Sequence, residues 1–145
     1  SQATNRPLHE LFGATRDRVA VGADFGVADS IDELLPQIGE AFERKFPRVK
    51  LKFRPGWDLP MLRAVRTAFP TQTIHVDCNS GYRLADLPLF REMDEFQLAM
   101  VEQPLGYDDL TDHAALQRQI STPVCLDESI TSPAKAGWSR AEVAP

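Results

Sequence analysis

Apolar positions along the chain alternate between two periods. Five short runs, "VAVGADFGV" (19–27), "RVKLKF" (48–53), "TIHVD" (73–77), "LAMVE" (98–102) and "PVCLD" (123–127), read as strands. Between the first two, Ile31, Leu34, Leu35, Ile38 and Phe42 recur at helical spacing, and Ser30 with Glu33 three residues on reads as a capping box. Pro36 lies inside that helix, past its first turn, and predicts a kink or a loosened segment. A second helix opens at Asp58 and Pro60 and carries Leu62, Val65 and Phe69; others are predicted near 84–94 and, behind Asp108 or Asp109, near 109–119.

Strands separated by helices of this length imply right-handed βαβ units and a parallel sheet, so the fold class is α/β. No Gly-x-Gly-x-x-Gly or phosphate-binding loop follows a strand, which weakens a nucleotide-binding reading. Lys52, Asp77, Glu102 and Asp127 stand 25 residues apart, each at or beside a strand's C-terminal end. Functional groups in that position are the layout of a TIM-type (β/α) barrel, of which this chain would supply about four and a half βα units. Residues 1–18 read as a linker into the barrel segment at 19–131, and 132–145 as an irregular tail.

Composition narrows the function classes. The 145 residues are 43% hydrophobic and 26% charged, as in a globular domain. A net charge of −5 without a basic cluster argues against nucleic acid as the partner. No apolar run approaches membrane-spanning length and the start lacks a signal-peptide layout, so a cytoplasmic setting is expected. Cys78 and Cys125 have no ligand-type spacing and read as small buried thiols.

Three strand-end carboxylates converging on one barrel mouth would repel one another, and a divalent cation resolves that conflict. All-oxygen donors suit Mg²⁺ first and Mn²⁺ second, although a lone strand-end Asp is often a turn former and Asp127 could cap a following helix. Lys50 and Lys52 share one strand face. Val49, Leu51 and Phe53 suit the helix layer, which turns both lysines inward. A lysine beside a divalent cation and a second ammonium gives up its proton more readily and becomes a usable general base.

With these positions in view, "KLK", "VDCNS", "VEQPL" and "LDESI" on successive strands resemble the muconate-lactonizing subgroup of the enolase superfamily, and within it the o-succinylbenzoate synthases and N-acylamino acid racemases. The resemblance runs from about residue 7 to 134. It implies Mg²⁺-assisted removal of a proton α to a carboxylate through an enediolate, on a small carboxylate substrate. It further implies Asp77, Glu102 and Asp127 as metal ligands, Lys52 as acid/base catalyst, Lys50 as a charge partner for the substrate carboxylate, and Asn79 as a polar group behind the metal. Cys78 stands where such proteins commonly carry a small residue such as Ala.

The same resemblance implies an N-terminal capping domain before Ser1 and a second catalytic lysine on a sixth strand beyond Pro145; Lys135 is too close to Asp127 to serve. The chain is therefore expected to be part of a longer polypeptide or to complete its sheet by self-association. The opposing expectation is a non-catalytic barrel fragment that keeps the ligand set. His75 reads as a satisfied core histidine, Trp57 as a packing residue, and His9 and His113 carry no signal.

Overall fold

The computed structural model describes residues 4–16 and 18–137. Five strands, β1 (Ala23–Phe25), β2 (Val49–Lys52), β3 (Ile74–Asp77), β4 (Val101–Glu102) and β5 (Val124–Cys125), form one sheet in sequential order with every pair parallel. Helices α1 (Leu8–Leu11), α2 (Ile31–Glu43), α3 (Leu59–Ala68), α4 (Leu87–Met93) and α5 (Leu110–Gln117) complete it, with short 3₁₀ turns at Leu84–Asp86 and Asp94–Phe96 flanking α4. Sequential parallel strands joined by helices are consecutive βα units of a TIM-type barrel. Among the described residues, no helix is long and apolar enough to cross a membrane.

Val49, Leu51 and Phe53 are fully buried with Leu34 and Ile38 of α2, Met61, Leu62 and Val65 of α3, and Phe90 and Met93 of α4. Each such side chain contributes roughly 1.5–3 kcal/mol on leaving water. Because the odd positions of β2 take the helix side, the even ones, Lys50 and Lys52, face the other side, as the alternation predicts.

Ser30 caps α2 by accepting the Glu33 N–H at 3.2 Å, Asp58 caps α3 and Asp109 caps α5, each worth about 1 kcal/mol. Helix α2 continues through Pro36. The proline removes one backbone donor, while Leu34, Ile38 and Ala41 keep the flanking turns pinned to the core.

The strands are shorter than their apolar runs. The run at 19–27 pairs only over Ala23–Phe25, because β1 is an edge and Val19 and Val21 before it reach no partner layer and stay exposed. Runs 98–102 and 123–127 likewise reduce to two-residue strands, although Ala99 N–H to Ile74 O and Gln103 N–H to Cys125 O extend the pairing at either end. The 1–18 linker contains the single turn of α1, which buries no side chain. The tail at 132–145 is not wholly irregular: residues 133–137 are helical, started by Ser132, whose Oγ accepts the Lys135 N–H. Residues 138–145 lie outside the described residues.

Candidate active site

At the C-terminal ends of the strands the register aligns one row across the sheet: Lys52 opposite Asp77, Asp77 opposite Glu102, and Glu102 opposite Cys125. One layer below, Asp24, Lys50 and His75 are aligned in the same way. Parallel register partners share a face, so these groups project to one side of the sheet. The ladder fixes their backbones through Phe53 N–H to Asp77 O and Cys78 N–H to Glu102 O, both at 2.9 Å.

Charge neutralises charge here. Lys50 Nζ donates to Glu102 Oε1 at 2.7 Å and lies 2.9 Å from Asp77 Oδ2. Lys52 Nζ donates to Asp77 Oδ2 at 2.8 Å and to Asn79 Oδ1 at 2.6 Å. Asp77 Oδ1 accepts the Asn79 N–H at 3.0 Å, which helps hold Asn79 in a left-handed conformation at φ +43°. Burial works against the Lys50 ammonium, but hydrogen bonds to Glu102 and Asp77 outweigh it and hold Lys50 above the ordinary lysine range. Burial likewise disfavours the Asp77 anion, yet hydrogen bonds from Lys52, Lys50 and the Asn79 amide keep it below the ordinary carboxylate range.

Asp127 does not join the row. Cys125 takes the place opposite Glu102, and Asp127 lies two residues further on, exposed, in the loop after β5. Among the described residues, no three His, Cys, Asp or Glu side chains gather as a metal centre. Asp77 and Glu102 do aim one oxygen each at a single positive centre, the Lys50 ammonium. Their carboxylate chemistry fits a hard divalent cation, and Asp127 lies in the loop after β5.

Gln103 and His113 are site supports that the sequence did not reveal. Gln103 is wholly buried, and all its amide atoms are engaged. Its Oε1 accepts the N–H groups of Asp127 (2.9 Å) and Ser129 (3.2 Å), and its Nε2 donates to Ser129 Oγ (2.8 Å) and Leu105 O (3.2 Å). It staples the loop after β4 to the loop that presents Asp127. His113, also fully buried, accepts the Leu105 N–H at Nε2 (3.2 Å) and faces Asp109 O through Nδ1 (2.6 Å). Only the Nδ1–H tautomer serves both contacts. The one signal for either residue is a polar side chain beside a strand-end motif or inside an apolar helix face.

His75 is buried as predicted but not satisfied. Its Nε2 lies 3.9 Å from Glu102 Oε2, and its Nδ1 has no hydrogen-bond partner among the described residues. Burial pushes its imidazole below the usual range. Trp57 packs against the core, beyond a Pro55-Gly56 turn closed by paired Arg54 and Trp57 backbone bonds. Both cysteines are free; burial, then the Glu102 and Asp127 charges, raise the Cys125 thiol.

Residues 33–139 match the protein family described as Enolase C-terminal domain-like. An N-succinylamino acid racemase from Thermus thermophilus is 47% identical over 136 residues, covering 94% of this chain and 37% of the relative. An o-succinylbenzoate synthase from Enterococcus faecalis is 46% identical over 127 residues, covering 88% of this chain and 35% of the relative. A solved enolase-superfamily protein from Enterococcus faecalis superposes with a TM-score of 0.89 at 42% identity, over 99% of this chain and 39% of its own. An L-talarate dehydratase from Polaromonas sp. JS666, solved in complex with Mg and L-glucarate, superposes with a TM-score of 0.81 at 29% identity, over 93% of this chain and 40% of its own. The chain therefore spans little more than a third of the length of the curated relatives it matches. On this evidence the chain belongs to the Enolase C-terminal domain-like family of the enolase superfamily.

Proposed function

We propose that this chain carries the acid/base lysine and the cation-holding carboxylates of an enzyme that removes a proton α to a carboxylate, as in o-succinylbenzoate synthesis or N-acylamino acid racemisation. The observation that carries this reading is the pair of inward lysines on β2, both in contact with Asp77 Oδ2. Asp77, Glu102 and Asp127 would hold Mg²⁺, with Mn²⁺ as the alternative. When bound, the ion supplies positive charge against the substrate oxygens on which negative charge develops.

The chain's own residues do the rest. Lys52 takes the α-proton at Nζ, where Asp77 and Asn79 fix its direction by accepting two of its N–H bonds. Lys50 stays charged and attracts the carboxylate of a small acidic substrate toward the same face. Asn79 stands behind the pair and orients Lys52. Two free thiols accord with a cytoplasmic setting. Among the described residues, β1 and β5 each pair on one side only, and we propose that further chain or another copy continues the sheet there.

Racemisation requires a base on each face of the substrate, whereas proton exchange tests Lys52 alone. The experiment is α-proton exchange of N-succinyl amino acids in D₂O with Mg²⁺, followed by proton NMR. Exchange that disappears in Lys52→Ala supports the reading. No exchange by the folded chain, or full exchange in Lys52→Ala, supports a non-catalytic segment instead.

A further inference from the structure

Glu128, in the loop after β5, reaches back across the site to β3. Its Oε1 accepts a hydrogen bond from Asn79 Nδ2 at 3.1 Å, while Asn79 Oδ1 accepts from Lys52 Nζ at 2.6 Å. The amide thus spans an acidic neighbour on its donor end and a basic one on its acceptor end. Turned by half a rotation, it would set N–H against ammonium and oxygen against carboxylate, and both contacts would repel. The orientation follows from the chemistry of the two neighbours.

The Lys52 contact alone holds only the oxygen end of the amide, and without a partner at Nδ2 the side chain could turn and release Nζ. Glu128 holds the Nδ2 end and prevents the turn. The loop that carries Glu128 is itself fixed, because Gln103 Oε1 takes the N–H groups on either side of it, those of Asp127 and Ser129.

We infer that Glu128 is a positioning residue that acts through Asn79, holding Asn79 Oδ1 on Lys52 and so fixing the direction of Nζ. The inference rests on the reading of Lys52 as the acid/base group. It adds that a carboxylate in the loop after β5 aims a side chain on β2 through an intervening amide.

The test compares Glu128→Ala with Glu128→Gln, which keeps an oxygen able to accept from Asn79, using α-proton exchange and the Asn79 side-chain amide signal in ¹⁵N NMR. The expected result for Glu128→Ala is a fall in kcat of about tenfold at unchanged KM, the weight of the one hydrogen bond that holds the Asn79 amide on Lys52. Glu128→Gln should stay within about threefold of the parent, since the acceptor is retained. Slow hydrogen exchange at the Asn79 amide should be lost only in Glu128→Ala. In an Asn79→Gly background, where position 79 has no side chain for Glu128 to hold, Glu128→Ala should have no further effect. Equal loss in the Ala and Gln variants, an undiminished effect in the Asn79→Gly background, or an unchanged Asn79 amide in Glu128→Ala would overturn the inference. If the parent shows no exchange, the reading of the function fails, and the amide signal alone still decides whether Glu128 orients Asn79.

Discussion

Replacing Lys50 with Met removes the cation on which Asp77 and Glu102 both rest. Their contacts to Nζ, 2.9 and 2.7 Å, place the two oxygens at most about 5.6 Å apart, and both residues are buried. At an effective dielectric of about 20, two like charges at that separation repel by roughly 3 kcal/mol. Lys52 remains on Asp77 and offsets part of this, so a loss of about 2–3 kcal/mol in folding free energy is expected at pH 7.5 without divalent ions. Protonating one carboxylate relieves the repulsion. Asp77 is held below the ordinary carboxylate range partly by its hydrogen bond from Lys50, so without Lys50 it takes up a proton more readily as pH falls. The penalty should therefore be smaller at pH 5 than at pH 7.5. Urea unfolding followed by circular dichroism at the two pH values measures it, and millimolar Mg²⁺ should recover more stability in the variant than in the parent. A penalty under about 1 kcal/mol at pH 7.5, or one that is the same at both pH values, would refute the reasoning.

Gln103→Leu should cost roughly 2–4 kcal/mol, because the N–H groups of Asp127 and Ser129 lose their acceptor inside the protein. Hydrogen exchange at those two amides should rise with the loss. Burial pushes the His113 imidazole down, so its contribution is complete above its ordinary value of 6.5 and is lost as pH falls toward the lowered folded value. Stability should thus decline between pH 7 and pH 5, and His113→Gln should flatten that part of the urea-midpoint profile. A Cβ on Gly81 would stand 2.8 Å from the Cys78 carbonyl oxygen, so Gly81→Ala should destabilise by about 1–3 kcal/mol in thermal melts.

The inward direction of Lys50 and Lys52 was legible because period-two alternation leaves no other place for Val49, Leu51 and Phe53. Strand order and parallel pairing were legible because helices of this length permit little else. Strand ends were not, since an apolar run such as 19–27 reports affinity for a core and not the presence of a neighbouring strand. The ion pairs were hidden for a related reason. Spacing assigned the carboxylates to one partner and the lysines to another role, whereas in the folded chain each satisfies the other at 2.7–2.9 Å. Gln103 and His113 were hidden because a buried polar side chain matching its partners leaves no periodic trace.

The 25-residue cadence failed at its last step for a reason that bears on the site. Asp94 takes the N–H groups of Ser121 and Thr122, both at 2.8 Å, and Gln117 Oε1 takes that of Val124 at 2.6 Å. These bonds draw the α5–β5 connection tight and put Cys125, not Asp127, opposite Glu102. Asp77 and Glu102 are consequently positioned by the sheet, whose ladder is rigid. Asp127 is positioned by a loop tied to the buried Gln103 amide and closed by Ile130 N–H to Asp127 O at 2.9 Å. On the proposed reading, two carboxylates of the set are placed by the sheet and the third by this loop. It follows that the "EQP" and "LDES" segments act as one unit, with Gln103 holding the loop that carries Asp127 and from which Glu128 reaches back to Asn79.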